Sequence, residues 1–585
     1  MSATNPNSDT HGPSAGTEEA LADVKQLGLF AAIASLGYVF WVVGAMEMVE
    51  RLAYYGLRTV LPVYMVLAVE KGGPQFDHVQ KGLVYGWWAF LQSMVPVVSG
   101  GFADRFGYKR TVGLSIAVKA AGYLVMAWCV ELGATFSGGA SAGVPGHAAV
   151  LAVFMTGALL LATGTAIFKP GIQGIIALSM ADGTKVTGWA VFYQLVNVGG
   201  FLGPFLAGVM RLLDWKYVFI SCAITVSLNY LVLLTFAEPE RTGEGFGKSS
   251  FLSVLWQSFI GIWQPRLFCF IVLFSGYWLM FFQLFDILPN FIEDWVDSSG
   301  ALNAVARPLI ELFGGTVSKD WHGQLPQEFM INLNAGICMT LAFLAGYLTS
   351  RIRAVTAMAI GIGISCIAIY ALGFSMNGWY TLMAIGGFSF GEITASPRKS
   401  EYLASLAPKG REGLYLGYVN ATQAIGWTLG SVLAGRLYEA GGDKVVLARR
   451  MLVERFSQDP AAVEAMQKTA VMPELSRLLE TDAAGTTALL WQTYAPNSMW
   501  AVFALIGVSS MVGLVIYGRL VQVLDEKKDW VFAVLVLFYT WAVHDQHRFD
   551  QFPLYTTVFA SGMALYATLR RYMPEWLPAG ARDSS

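Results

Sequence analysis

Charge is scarce in this chain. Asp, Glu, Lys and Arg make up only 13% of its 585 residues, and 40 acidic against 38 basic groups leave a formal net charge of −2. So few cations exclude a protein built to grip a nucleic-acid backbone. Alongside 55% hydrophobic residues and a mean hydropathy of +0.52, the same scarcity excludes an ordinary soluble enzyme. Histidine is rare too: His11, His78, His147, His322, His544 and His547 all lie outside the middle of any apolar run. A histidine-based proton relay through the interior is therefore not expected, and any buried titration would fall to carboxylates. The five cysteines, Cys129, Cys222, Cys269, Cys338 and Cys366, fall inside apolar segments and read as free packing residues, not a disulfide frame. No His/Cys/Asp/Glu set has metal-ligand spacing, and no His-Glu-x-x-His or Ser/His nucleophile pattern occurs, so neither a metal nor another cofactor is expected and an enzyme is disfavoured.

What the chain does have is a series of hydrophobic runs long enough to cross a bilayer. They lie at about 37–68, 80–103, 110–131, 148–180, 187–212, 216–236, 267–292, 327–350, 354–374, 378–405, 412–438 and 498–523. The fold class is thus an all-α integral membrane protein. Lys and Arg collect in alternate connections, at Arg105, Lys109 and Arg110, then at Lys185, Arg241, Lys248, Arg266, Arg351, Arg353, Lys409, Arg411, Lys527 and Lys528. That bias places the N-terminus in the cytoplasm. Residues 1–30 read as a disordered cytoplasmic tail without a cleaved signal. A six-span unit over 31–236 is followed by a polar linker over 237–266, in which Phe251 to Trp263 could lie on the membrane as an amphipathic helix. A second six-span unit covers 267–523 and includes a helix-patterned insertion at 441–497 on the outer side, with helical stretches at Val445 to Phe456 and Ala461 to Leu479. Two further apolar stretches, Trp530 to Val543 and Phe552 to Leu569, suggest two extra C-terminal helices within 524–572, before a tail over 573–585.

The chemistry concentrates in the first run. Glu47, Glu50, Arg51, Tyr54 and Tyr55 lie near its middle. Each ionised side chain at bilayer centre costs roughly 2.5–3.5 kcal/mol on an insertion scale, so a lipid-facing placement is excluded. The spacings Glu47 to Arg51, Arg51 to Tyr55 and Glu50 to Tyr54 are all i,i+4, which puts the group on one side of a helix. That side should line a watered cavity enclosed by protein. The plainer alternatives are a satisfied structural salt bridge or a helix-end cluster reaching the interface.

Between runs two and three stands Gly100-Gly-Phe-Ala-Asp104-Arg105-Phe-Gly107-Tyr-Lys109-Arg110, a glycine-punctuated turn with an acid beside a basic cluster. It resembles the signature loop of the major facilitator superfamily. Glu47-x-x-Glu50-Arg51-x-x-Tyr54-Tyr55-Gly56 resembles the proton-dependent oligopeptide transporter family. Phe168-Lys169-Pro170, Phe192-Tyr193-Gln194 with Asn197 and Gly199, Tyr277-Trp278 with Gln283, and Glu392-x-x-x-Ser396-Pro397 add to that likeness. It spans about residues 37–523 and leaves out the insertion and the C-terminal addition.

The resemblance implies two six-helix bundles around a central cavity and proton-driven symport of di- and tripeptides by a monomer in the cell membrane, in contact with lipid. Glu47, Glu50, Arg51 and Lys169 would couple to protons, while Tyr54, Tyr55, Arg58, Lys169, Asn197, Asn334 and Glu392 would bind substrate. Lys169 would pair with the Glu47/Glu50 cluster or with the peptide carboxylate, and Glu392 with the peptide amino group or Lys169. Gly100, Asp104, Arg105 and Arg110 would form the conformational loop. Asn197 and Asn334 could equally be interhelical hydrogen-bonding residues.

Two departures from the family pattern stand out. The seventh run has Phe281-Phe282-Gln283 where the family usually carries an acid before the glutamine, and Asp286 lies one turn farther out. Asp286 is therefore expected to pair with Arg58 and close the outer gate, or else to reach water at the outer end. In the tenth run, Arg398, Lys399 and Glu401 follow Pro397, as a cytoplasmic helix end or as added positive charge at the inner mouth. A symporter of the same fold for a small anion, a modified amino acid or a drug-like compound is the alternative function.

Overall fold

Backbone surrounded by lipid must satisfy its own N–H and C=O groups, so apolar runs of this length become helices. The computed structural model describes residues 29–137, 147–181, 184–238, 256, 259–406, 412–524, 528–547, 566 and 570. Among them the helices follow the apolar runs: α1 (Tyr38–Val66), α2 (His78–Phe106), α3 (Tyr108–Ala127), α4 (His147–Leu178), α5 (Lys185–Leu213) and α6 (Trp215–Leu233) form one set. The second set is α7 (Pro265–Phe281), α8 (Gln327–Thr349), α9 (Ala354–Ala371), α10 (Gly378–Ser405), α11 (Glu412–Gly441) and α12 (Met499–Val523).

The packing repeats with a shift of six helices. In the first half α1 packs on α5 and α6, α3 on α4 and α6, and α2 on α4. In the second, α7 packs on α11 and α12, α9 on α10 and α12, and α8 on α10. The halves meet through α2 against α11 and, in the corresponding place, α5 against α8. This is the arrangement of a transporter made of two similar units.

Seven helices among the described residues are long and apolar enough to cross a membrane on composition alone: α3, α4, α5, α6, α7, α9 and α12. Helices α1, α2, α8, α10 and α11 are too polar for that criterion, and they carry many of the buried charges and amides. Their polar faces are turned to protein, which is where an intramembrane charge is tolerated.

Two elements differ from the sequence reading. The glycine-punctuated turn is shorter than the run limits imply: α2 continues beyond 103 to Phe106, and the turn narrows to Gly107, whose φ of +102° favours glycine. The seventh span is not one straight helix. It breaks at Phe282 and Ile287 and continues as Gln283–Asp286 and Leu288–Trp295. Pro289, which lacks an N–H, removes the i,i+4 bond to the Phe285 carbonyl.

The 441–497 insertion is helical as the pattern suggests, in four pieces: Lys444–Phe456, Pro460–Ala465, Lys468–Leu478 and Ala483–Tyr494. After α12, helix α13 (Trp530–His547) packs on α7 and α12. The second expected C-terminal helix, over 552–569, lies outside the described residues, as does most of the Phe251 to Trp263 segment.

Candidate functional site

Close approach of α1 and α5 sets the position of the carboxylates. A Cβ on Gly199 would stand 2.2 Å from the Met48 carbonyl oxygen and 3.0 Å from the Arg51 Cβ, so only glycine lets α5 lie against this part of α1. Glu47, Glu50 and Arg51 are all buried there. The Arg51 Nε lies 2.9 Å from Glu47 Oε1 and 2.8 Å from Glu50 Oε2. Lys119 of α3, fully buried, places its Nζ 3.2 Å from Glu50 Oε1 and 3.6 Å from the centre of the Phe168 ring. Two carboxylates and two cations thus neutralise one another within protein. Yet among the described residues Glu50 Oε2 has its ion pair but no aligned hydrogen bond and Arg51 Nη2 has no hydrogen-bond partner, which leaves a donor open inside the cluster.

Lys119 takes the place beside Glu50 that the sequence reading offered to Lys169. Lys169 is half-buried, lies within electrostatic reach of Arg51, Glu47 and Glu50, and forms no ion pair among the described residues. Tyr54 does not turn to Glu50 either. Its hydroxyl hydrogen-bonds the Gln92 amide at 3.1 Å, and Trp88 Nε1 donates to the same Gln92 oxygen at 2.6 Å. The Arg51 guanidinium instead lies over the Tyr54 ring at 5.4 Å.

About two turns along α1 from Arg51, Arg58 meets Asp286 in a buried ion pair. The Phe285 carbonyl, freed by Pro289, accepts a weak hydrogen bond from Arg58 Nη1 at 3.4 Å. Arg58 also lies over the Tyr85 ring at 4.1 Å, while the other Asp286 oxygen accepts from Trp427 Nε1 at 3.2 Å and Ser431 Oγ at 2.5 Å. Nearby, buried Lys81 donates to the Asp286 carbonyl at 3.1 Å and to Asn290 Oδ1 at 2.6 Å, and Asn290 donates to the Pro62 carbonyl at 3.1 Å. Gln327 Nε2 donates to the Thr59 carbonyl at 3.0 Å, and Arg211 stands 3.0 Å from fully buried Glu328. Of these contacts, Arg58 to Asp286 and the Phe285 carbonyl, Lys81 to Asp286 and Asn290, Asn290 to Pro62, Gln327 to Thr59 and Arg211 to Glu328 join one half to the other, on the side that carries the insertion.

The remaining substrate candidates are spread over both halves. Glu392 of α10 accepts from Asn334 Nδ2 at 2.8 Å, not from Lys169. Tyr55 and Tyr193 lie within electrostatic reach of Glu392, which places α1, α5 and α10 around one space. The Asn197 side chain lies beside the Tyr193 hydroxyl, and among the described residues its buried Nδ2 has no well-aligned hydrogen bond. Lys399 is not a solvated helix end: it is 5% exposed, and its Nζ sits 4.2 Å over the Trp278 ring. Arg398 is also buried, paired with Glu401. Of the loop candidates, Gly100, Asp104 and Arg105 have side-chain positions outside what the structure describes, and Arg110 is exposed. There Glu238 accepts from the Tyr108 and Lys109 amides at 3.0 and 3.2 Å, a carboxylate at the positive end of α3.

Lys81, Gln92, Lys119 and Glu328 are absent from the sequence candidates. Gln92 and Lys119 are polar residues well inside apolar runs, so the cost argument applied to Glu50 picks them out as well, whereas Lys81 and Glu328 stand at the starts of theirs.

The family model described as Major Facilitator Superfamily matches residues 43–338, just over half of the chain. The chain belongs to the Major Facilitator Superfamily. Members are transporters and not enzymes, so this is a multi-pass membrane protein. Among curated relatives, this superfamily member is similar to the uncharacterized transporter YclF of Bacillus subtilis, 26% identical over 237 residues, 40% of this chain and 43% of that protein. Multidrug resistance protein MdtH of Klebsiella pneumoniae is 22% identical over 420 residues, 70% of this chain and 88% of the relative. Peptide transporter YePEPT of Yersinia enterocolitica is 27% identical over 197 residues, 33% of this chain and 35% of the relative. The matches to YclF and YePEPT thus span less than half of those proteins. Of solved structures, a POT family transporter in complex with 5-aminolevulinic acid superposes with a TM-score of 0.54 at 16% identity, covering 79% of this chain and 98% of the other. The nucleoside transporter NupG superposes with a TM-score of 0.56 at 13% identity, covering 82% and 99%. At such identities the likeness is one of fold.

Proposed function

We propose that this protein is a proton-coupled symporter of the oligopeptide transporter type, importing di- and tripeptides across the cell membrane by alternating access. The observation that carries the proposal is Glu50, a buried carboxylate held between Arg51 at Oε2 and Lys119 at Oε1, its Oε2 ion-paired but without an aligned hydrogen bond among the described residues. Protonating that oxygen removes the charge both cations are drawn to, so one of them is released to a new partner and the packing of α1 against α3 changes. Glu47 and Arg51 complete the coupling group. Across the central space, Glu392 answers the peptide ammonium and Lys169 its carboxylate, with Tyr55, Asn197 and Asn334 beside them. Arg58 and Asp286 are the gate on the insertion side. With the N-terminus in the cytoplasm, that side is the exterior, and the arrangement described is closed to the outside.

The energetics suffice. One proton moving through about 100 mV supplies about 2.3 kcal/mol, enough for roughly fifty-fold accumulation. In proteoliposomes, Glu50→Gln is expected to abolish dipeptide accumulation driven by a pH gradient while retaining peptide exchange. Full accumulation in that variant would remove Glu50 from coupling. A second reading, a non-peptide solute carried by the same fold, is favoured by one feature. Where the oligopeptide family usually has an acid in the seventh span, Phe282 stands instead, stacked on Trp427 at 4.2 Å. The substrates of MdtH and NupG, drugs and nucleosides by name, lie in the same direction. Competing labelled dipeptide uptake with a peptide panel, small anions and nucleosides separates the readings.

A further inference from the structure

Formal charge around the central space does not balance for a neutral peptide. The proton-coupling cluster is self-neutralising, with Glu47 and Glu50 against Arg51 and Lys119. At the gate Arg58 and Lys81 are balanced as well, Arg58 by its ion pair with Asp286 and Lys81 by Asp286 and Asp294 within electrostatic reach. What remains is Glu392 on one side of the account and two lysines, Lys169 and Lys399, on the other. Neither lysine has an ion pair or hydrogen bond among the described residues. They lie within electrostatic reach of each other. Two ammonium groups so placed repel one another at effective dielectric constants well below that of water. Among the described residues, what faces the Lys399 ammonium is the ring of Trp278, at 4.2 Å, with Phe274 at 5.7 Å. A cation–π contact contributes roughly 0.5–2 kcal/mol, less than the desolvation of an ammonium.

Helix α10 sets the spacing. Lys399 follows Glu392 by seven residues, so both project from the same helix face about 10.5 Å apart along the axis at 1.5 Å per residue. A solute whose ammonium meets Glu392 and whose main-chain carboxylate meets Lys169 therefore leaves Lys399 free, on the same face, to meet a second anion.

We infer that Lys399 forms, with Trp278, an anion subsite that selects solutes carrying one ammonium and two carboxylates, in particular dipeptides with an acidic side chain. This rests on the peptide reading above for the first two contacts but not for the third, since the surplus cation is present whatever the solute.

The test uses the intact transporter in proteoliposomes with a pH gradient, comparing Ala-Glu with Ala-Gln, which has the same shape without the charge. Wild type is expected to show a KM for Ala-Glu about tenfold below that for Ala-Gln, the order of one charge-assisted hydrogen bond. Lys399→Gln should erase the ratio and Lys399→Arg should keep most of it. Equal KM values for the two dipeptides in wild type, or a ratio unchanged in Lys399→Gln, overturns the subsite. The wild-type comparison stands even if a variant fails to fold. If neither dipeptide is transported but a small dicarboxylate binds the purified protein, and binds more weakly in Lys399→Gln, the peptide reading fails and the subsite holds. If neither a dipeptide nor the dicarboxylate binds, both fall.

Discussion

At the scale of single residues, the decisive pair is Glu50 with Lys119. Removing one partner of a buried ion pair leaves the other charged and unpaired, at a cost of roughly 3–5 kcal/mol. Arg51 still stands beside Glu50, so Lys119→Met should fall at the low end of that range, read as a lower unfolding temperature in detergent. Adding Glu50→Gln to the same variant removes the orphaned charge and should recover most of the loss. No recovery in this cycle would mean that the two groups do not interact. The room Lys119 occupies is set by Gly164, where a Cβ would fall 2.5 Å from the lysine Cγ. Gly164→Val is thus expected to impair coupling in the manner of Lys119→Met without touching a charge, as measured by proton-driven uptake. The Glu47/Glu50/Arg51 group was legible in the sequence because three charges in one apolar run demand an explanation. Lys119 was not legible as the partner of Glu50, because a contact between α1 and α3 is a tertiary fact that i,i+4 geometry does not contain. Lys399 was left between a cytoplasmic helix end and added charge at the inner mouth for a related reason: the run over 378–405 was legible, but which face of α10 packs inward and buries Lys399 is again a tertiary fact.

At the scale of elements, helix limits were legible to within a few residues because apolar run length and polar breaks determine them. The break within the α7 segment was not read, although Pro289 carries the cause. Its missing N–H leaves the Phe285 carbonyl free, and Arg58 takes up that acceptor while Asp286 takes the charge. A local helix defect thereby becomes half of an interhelical clamp. Exchanging the charges, Asp286→Arg with Arg58→Asp, should restore part of the uptake lost in each single variant. The rescue should be incomplete, because Trp427 and Ser431 are placed to donate to a carboxylate, not to a guanidinium. Absence of any rescue would separate the ion pair from gating. Pro289→Ala should straighten the element and weaken the clamp, seen as faster labelling of a cysteine at Thr59 from the insertion side in a background lacking the five native cysteines.

At the scale of the whole molecule, two similar halves are held shut along one face, and the insertion contributes a tie of its own. The Asp443 carboxylate caps the Lys444–Phe456 helix through the Val445 and Val446 amides at 2.7 and 2.9 Å. It also pairs with His78 Nε2 of α2 at 2.9 Å and lies 4.0 Å from Lys468, which donates to the Val66 carbonyl at the end of α1. Burial alone would raise the Asp443 carboxyl. The hydrogen bond from His78, the nearby positive charge and the helix amides outweigh it and hold the group well below the usual carboxylate range. A neutral His78 protonated at Nε2 donates the same bond. Because the folded value is depressed, the carboxylate contributes stability fully above the ordinary value of about 4, and that stability is lost as pH falls through the lowered value. Asp443→Asn keeps the shape and one acceptor oxygen but removes the charge. Wild type should therefore be the more stable protein near neutral pH, and the gap in unfolding temperature should begin to shrink below about pH 5, where the carboxyl takes up a proton in the unfolded chain that the folded site still refuses. Labelling at Thr59→Cys should follow the same course, faster in Asp443→Asn at neutral pH and converging in acid. A constant gap at every pH would assign the effect of the substitution to packing and leave the insertion without an electrostatic part in holding the outer face closed.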